Sequence, residues 1–152
     1  MFIQVKSLTY CIFATIVACQ IPPGNYVITN LLVRSDSLSQ VTPDRNEIRV
    51  IGRPQAQAPP PLSHWAISPG PSGRSVIRST VNGKYLSARS NPVMLADQPY
   101  TWSITRQNDG SLTITSENPQ LRLTLNQNSN PHSVIAVSAG GPATQWVFTP
   151  VS

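Results

Sequence analysis

Cysteine is almost absent: Cys11 and Cys19 are the two in the chain, and both fall in its first twenty residues. The remainder therefore has no disulfide framework and no thiol chemistry. Histidine is equally scarce. His64 and His132 stand alone, far from each other and from any cysteine, so no metal-ligand spacing exists and no cofactor is implied. The six acids are Asp36, Asp44, Glu47, Asp97, Asp109 and Glu117, and only Asp44 and Glu47 are neighbours in sequence. No nucleophile has a base beside it, and no catalytic residues can be assigned; the chain reads as a binding module, not an enzyme. Charge is thin as well. Charged residues are 11% of the chain, and the net +5 comes mainly from scattered arginines with no aromatics interleaved, which argues against a nucleic-acid partner. Beyond residue 20 no apolar run has helical periodicity or the length of a membrane span.

The first nineteen residues differ in kind. Lys6 precedes a mostly apolar run from Leu8 to Ala18, the layout of a secretory signal, with cleavage expected after Cys19 and the product secreted. The alternative is a cytoplasmic domain beginning near Ile21. On the first reading, residues 1–19 are the signal and 20–152 one domain, a length that buries a core without staples.

Proline, by contrast, is plentiful. Fifteen prolines separate short apolar runs such as Tyr26-Val27-Ile28 and Val134-Ile135-Ala136-Val137, the pattern of an all-β chain with tight connections. Three tryptophans open the same alternation, as Trp65-Ala66-Ile67, Trp102-Ser103-Ile104 and Trp146-Val147-Phe148, and each set puts two large apolar side chains on one strand face. A glycine followed four residues later by isoleucine also recurs three times, from Gly24 to Ile28, Gly73 to Ile77 and Gly110 to Ile114. In the last two cases it follows the tryptophan closely enough for a hairpin, with Asn108-Asp109-Gly110 as a turn. A leucine comes next in each unit, at Leu38, Leu86 and Leu123, and then a fourth run containing Val50, Leu95 and Val134.

Four strands repeated three times, with a period of about 40 residues, predict a twelve-stranded β-trefoil with repeats near 21–65, 66–102 and 103–150. A propeller of that period needs more blades than the chain can supply. The tryptophans are expected in the core, Tyr26 half-buried, and Tyr85 and Tyr100 on a face.

The order of these features resembles the ricin B-type lectin β-trefoils, particularly short single-domain fungal forms. It is carried by Ile21 to Asn30, by Gly83-Lys84-Tyr85-Leu86, by Ala96-Asp97-Gln98-Pro99 before Trp102, and by Gln145-Trp146-Val147-Phe148. The resemblance implies carbohydrate recognition through shallow sites on the repeats, with glycans or glycoproteins as partners. Where it places sugar-binding acids, this chain has Ser37, Tyr85 and Arg122. That shifts the expected carbohydrate-binding set to Asp36, Asp44, Tyr85, Asn126 and Asn128, and Asp36→Ala should then spare folding. Other β-trefoils inhibit proteases through one rigid loop, of mycocypin or Kunitz type. On that alternative Arg53, opening the proline-rich stretch to Pro61, or Arg89, opening the stretch to Pro92, would enter a protease pocket. A third possibility is a protein-interaction domain with no small ligand.

Overall fold

The computed structural model describes residues 21–57, 60–117 and 119–152; the expected signal segment, with Cys11 and Cys19, lies outside the described residues. Twelve strands succeed one another: β1 (Gly24–Asn30), β2 (Asp36–Gln40), β3 (Val50–Pro54), β4 (His64–Pro69), β5 (Ser75–Ser79), β6 (Tyr85–Ser87), β7 (Met94–Ala96), β8 (Thr101–Arg106), β9 (Leu112–Thr115), β10 (Arg122–Asn126), β11 (His132–Val137) and β12 (Gln145–Pro150). Proline sets several boundaries, since Pro54, Pro69 and Pro150 close β3, β4 and β12 where a ladder hydrogen bond is no longer needed. The tryptophan strands run past Trp65 and Trp102 because the next inward position, Ile67 or Ile104, is buried too. The structural units therefore break several residues later than the expected boundaries at 65 and 102.

Six strands close a ring. β1 pairs with β4, β4 with β5, β5 with β8, β8 with β9, β9 with β12 and β12 with β1, every pair antiparallel. Closure removes the free sheet edges that an open arrangement of short strands would expose. The other six form three hairpins, β2–β3, β6–β7 and β10–β11, hung from β1, β5 and β9. The hairpins also meet one another: β3 pairs with β11, Arg49 just before β3 bridges Met94 of β7, and Val93 just before β7 donates its N–H to Val134 O of β11. They make a cap over one end of the barrel, and each repeat supplies one third of both layers.

The core repeats with the same symmetry. Trp65, Trp102 and Trp146, Leu38, Leu86 and Leu123, and Ile28, Ile77 and Ile114 are all completely buried. Each indole N–H finds the same partner, a backbone carbonyl of the hairpin leucine: Trp65 to Leu38 at 2.8 Å, Trp102 to Leu86 at 3.0 Å and Trp146 to Leu123 at 3.0 Å. Tyr26 is sunk deeper than half-buried, its hydroxyl donating to Pro22 O at 2.7 Å. Two residues beyond each core isoleucine stands a buried polar side chain, Asn30, Ser79 or Ser116, that accepts a backbone N–H of the next turn. The hairpin turns into β5 and β9 use Gly73 and Gly110 at φ of 71° and 85°, a region open to glycine at little cost.

The junction of repeats one and two is pinned by a loop. Glu47 accepts the backbone N–H groups of Ile48 and Arg49 and the Arg49 guanidinium, while Asn82 donates to its carbonyl. The Arg49 guanidinium holds the Glu47 carboxyl below its ordinary range. A carboxyl depressed in the folded state stabilises it above the unfolded-state pKa and loses that contribution as pH falls through the folded value. Because Arg49 is 65% exposed the effect is small, and Glu47→Gln should cost about 0.5 kcal/mol at neutral pH. In urea titrations across pH, the gap between variant and parent should close as the medium turns acidic.

Trp102→Ala removes a buried indole and orphans the Leu86 carbonyl, so denaturant unfolding should show a loss of about 3–5 kcal/mol.

Candidate functional site

The junction of repeats three and one is built differently. There β11 lies beside β3 with His132 opposite Gly52, and β2 on the far side of β3 places Asp36 opposite Pro54. Gly52 leaves room for this approach. A Cβ on it would stand 2.2 Å from Leu125 Cδ1 and 3.4 Å from Asp36 Oδ2, so any side chain would displace a core leucine. The space above is an open cleft of about 520 Å³, and Asp36, Val41, Arg53, Gln57, Asn130 and His132 contribute to its walls.

An acid and a base meet at its floor. His132 Nδ1–H donates to Asp36 Oδ2 at 2.7 Å, and Ser35 Oγ–H donates to Asp36 Oδ1 at 3.2 Å. Both carboxylate oxygens are thus engaged, and the Asp36 side chain is 4% exposed against 30% for His132. The aspartate holds the ring, and the ring faces the cleft. With Nδ1 carrying the hydrogen, a neutral imidazole keeps Nε2 as a lone-pair acceptor, and that atom has no protein partner among the described residues. Arg53 contributes positive charge. One terminal nitrogen donates to Val41 O at 2.9 Å, and its other N–H groups meet no acceptor among the described residues.

The expected site residues divide accordingly. Asp36 is at the cleft, behind His132 instead of turned outward to a ligand. Asn126 ends β10, donates to Ser133 Oγ and accepts the N–H of Asn128, which lies in the connection running through Asn130 to His132 at the start of β11. Asp44 stands exposed in the β2–β3 connection, its carboxylate accepting Asn46 N–H, and does not line the cleft. Tyr85 opens β6 with the Arg78 guanidinium 5.1 Å from its ring centroid, also away from the cleft.

Neither arginine expected on an inhibitory loop stands free. Arg53 lies within β3, since Pro54 ends the strand and does not start a loop. Arg89 donates to Gln98 O and Pro99 O and rests 5.5 Å from the Tyr100 ring centroid, beside a smaller hollow of about 210 Å³ that also holds the Arg74–Glu117 ion pair. His132 stands alone in the sequence. Its role depends on a partner 96 residues away, and no local spacing signals such a pair.

No family model and no curated protein matches the sequence. Solved structures do. A designed 3-fold symmetric protein, ThreeFoil, superposes with a TM-score of 0.71 at 17% identity, over 84% of this chain and 99% of that one. The Rhizoctonia solani agglutinin gives 0.74 at 16% identity, over 89% of this chain and 100% of its own. The chain is a β-trefoil. The Polyporus squamosus lectin, solved with a human-type influenza-binding saccharide epitope, gives 0.71 at 20% identity, over 86% of this trefoil and 50% of the lectin chain. A mosquitocidal holotoxin gives 0.75 at 19% identity, and the trefoil spans 17% of that chain.

The buried position of Asp36 argues against the expectation that its removal spares folding. Asp36→Ala strips His132 and Ser35 of their acceptor, and urea unfolding should report a loss of about 1–3 kcal/mol, whereas Asp44→Ala on the exposed loop should stay within about 0.5 kcal/mol of the parent.

Proposed function

We propose that this β-trefoil is a carbohydrate-binding module whose site is the cleft between repeats one and three. The observation that carries the reading is the Asp36–His132 pair, which fixes an imidazole edge in an open cleft of mixed polar and apolar lining and about 520 Å³, a size suited to one or two sugar rings. A sugar presents hydroxyl groups that both donate and accept. The cleft answers with an acceptor at His132 Nε2, donors on Arg53 and the Asn130 carboxamide, and apolar surface from Val41 and Pro131 for the ring's C–H face. The lectins among the structural neighbours lend support to the same reading. Protease inhibition is the weaker reading, because Arg53 lies within β3 and not on a projecting loop, and Arg89 is tied to two backbone carbonyls. Export by residues 1–19 belongs to the proposal as well, and sequencing the N-terminus of secreted material would test it.

A glycan array with the parent and the His132→Ala, Asp36→Asn and Asp44→Ala variants tests the site. The parent should bind. His132→Ala should weaken binding about tenfold or more, Asp36→Asn should weaken it by loosening the ring, and Asp44→Ala should match the parent. A blank array, or parent-like binding by folded His132→Ala, would overturn the reading.

A further inference from the structure

We infer that the cleft selects acidic sugars, with a ligand carboxylate on Arg53 and a neighbouring ring hydroxyl on His132 Nε2. The inference rests on the carbohydrate reading above and narrows it to one chemical class.

The division of donors and acceptors in the cleft supports it. Its one acid, Asp36, is 4% exposed and already accepts hydrogen bonds from His132 and Ser35 on its two carboxylate oxygens, so it presents no free acceptor to a ligand. Arg53 is half-buried, forms no ion pair among the described residues, and spends one terminal nitrogen on Val41 O. The unengaged part of its guanidinium fork is the free charge of the cleft. A neutral hexose offers only hydroxyl oxygens to that fork. A carboxylate accepts two parallel N–H donors in the plane that the guanidinium already defines, and such charge-assisted pairs are stronger than neutral ones. The imidazole complements this. In its neutral form with Nδ1–H on Asp36, its Nε2 accepts from a hydroxyl, so a sugar with one acid group beside free hydroxyls satisfies both residues. The +5 net charge of the chain has the sign that draws such ligands in.

Calorimetric titration of the full chain with oligogalacturonides, their methyl esters and matched neutral galacto-oligosaccharides separates the possibilities. The acid should bind about tenfold more tightly than its ester, a preference that shrinks as salt rises. Arg53→Gln should abolish the preference while keeping weak binding of the ester, and Arg53→Lys should restore part of it, which guards against a variant that merely folds poorly. Arg106→Gln, on β8 away from the cleft, should leave the preference unchanged. Equal binding of acid and ester by the parent would overturn the inference and leave the carbohydrate reading in place. Equal losses for Arg53→Gln and Arg106→Gln would overturn it too, by reducing the effect to general positive charge. Failure of all three sugar classes, together with a blank glycan array, would remove the carbohydrate reading itself.

Discussion

The hydrogen bond from each indole N–H to the leucine carbonyl of the same repeat is the constraint around which the molecule is arranged. Tryptophan contributes the largest apolar side chain available to the core, yet it brings one donor that cannot go unpaired in a dry interior. In all three repeats that donor leaves the barrel strand and finds a carbonyl on the first strand of the hairpin, at 2.8 to 3.0 Å. The cap is therefore fixed to the barrel by the residue that fills the barrel. Once three hairpins are held in equivalent places, their second strands must meet, and the contacts between β3, β7 and β11 are the consequence.

This half of the structure was legible because it is local and repeated. Trp-x-apolar, Gly-x-x-x-Ile and the following leucine each lie inside one strand or one hairpin, so the periodic sequence carries the signal, and the tryptophan, the isoleucine after the glycine and the leucine of every repeat are fully buried, while Phe148 is only partly so. A further threefold feature was within reach. The polar residue two places past each core isoleucine caps the next turn, but it is Asn once and Ser twice, and similarity of role is hidden by difference of residue type. Arg53 differs from its expected place for a physical reason: proline at position 54 suggests a stiffened loop, whereas the last residue of a strand tolerates it.

The candidate site was less legible because it breaks the symmetry. Each junction between repeats carries its own polar device. Repeats one and two are joined by the Glu47 loop and Asn82, and repeats two and three by the Asn91 carboxamide, which both donates to and accepts from the Ala136 backbone. Repeats three and one are joined by Asp36 and His132. The last pairing lies beside an open cleft of about 520 Å³. An aspartate and a histidine so far apart in sequence acquire their relation from the closure of the cap, and a one-dimensional reading sees two unrelated polar residues. Asp36 stands out in the sequence as an acid, but its partner His132 is visible only in the fold.

The same asymmetry bears on how such a module can reach useful affinity. A trefoil with three equivalent sites gains avidity from its own symmetry, since linked weak sites raise the effective concentration of ligand at each. A single cleft has no such help and depends on the order already present in its walls. Fixing the His132 ring through a buried carboxylate meets that need, because the rotamer entropy lost on ligand contact is lost on folding instead. Gly52 serves the same end from the other side, keeping the β3 backbone close enough to Leu125 that the floor of the cleft rests on the core. The rigid threefold interior thus supplies to one site the preorganisation that repetition would otherwise provide.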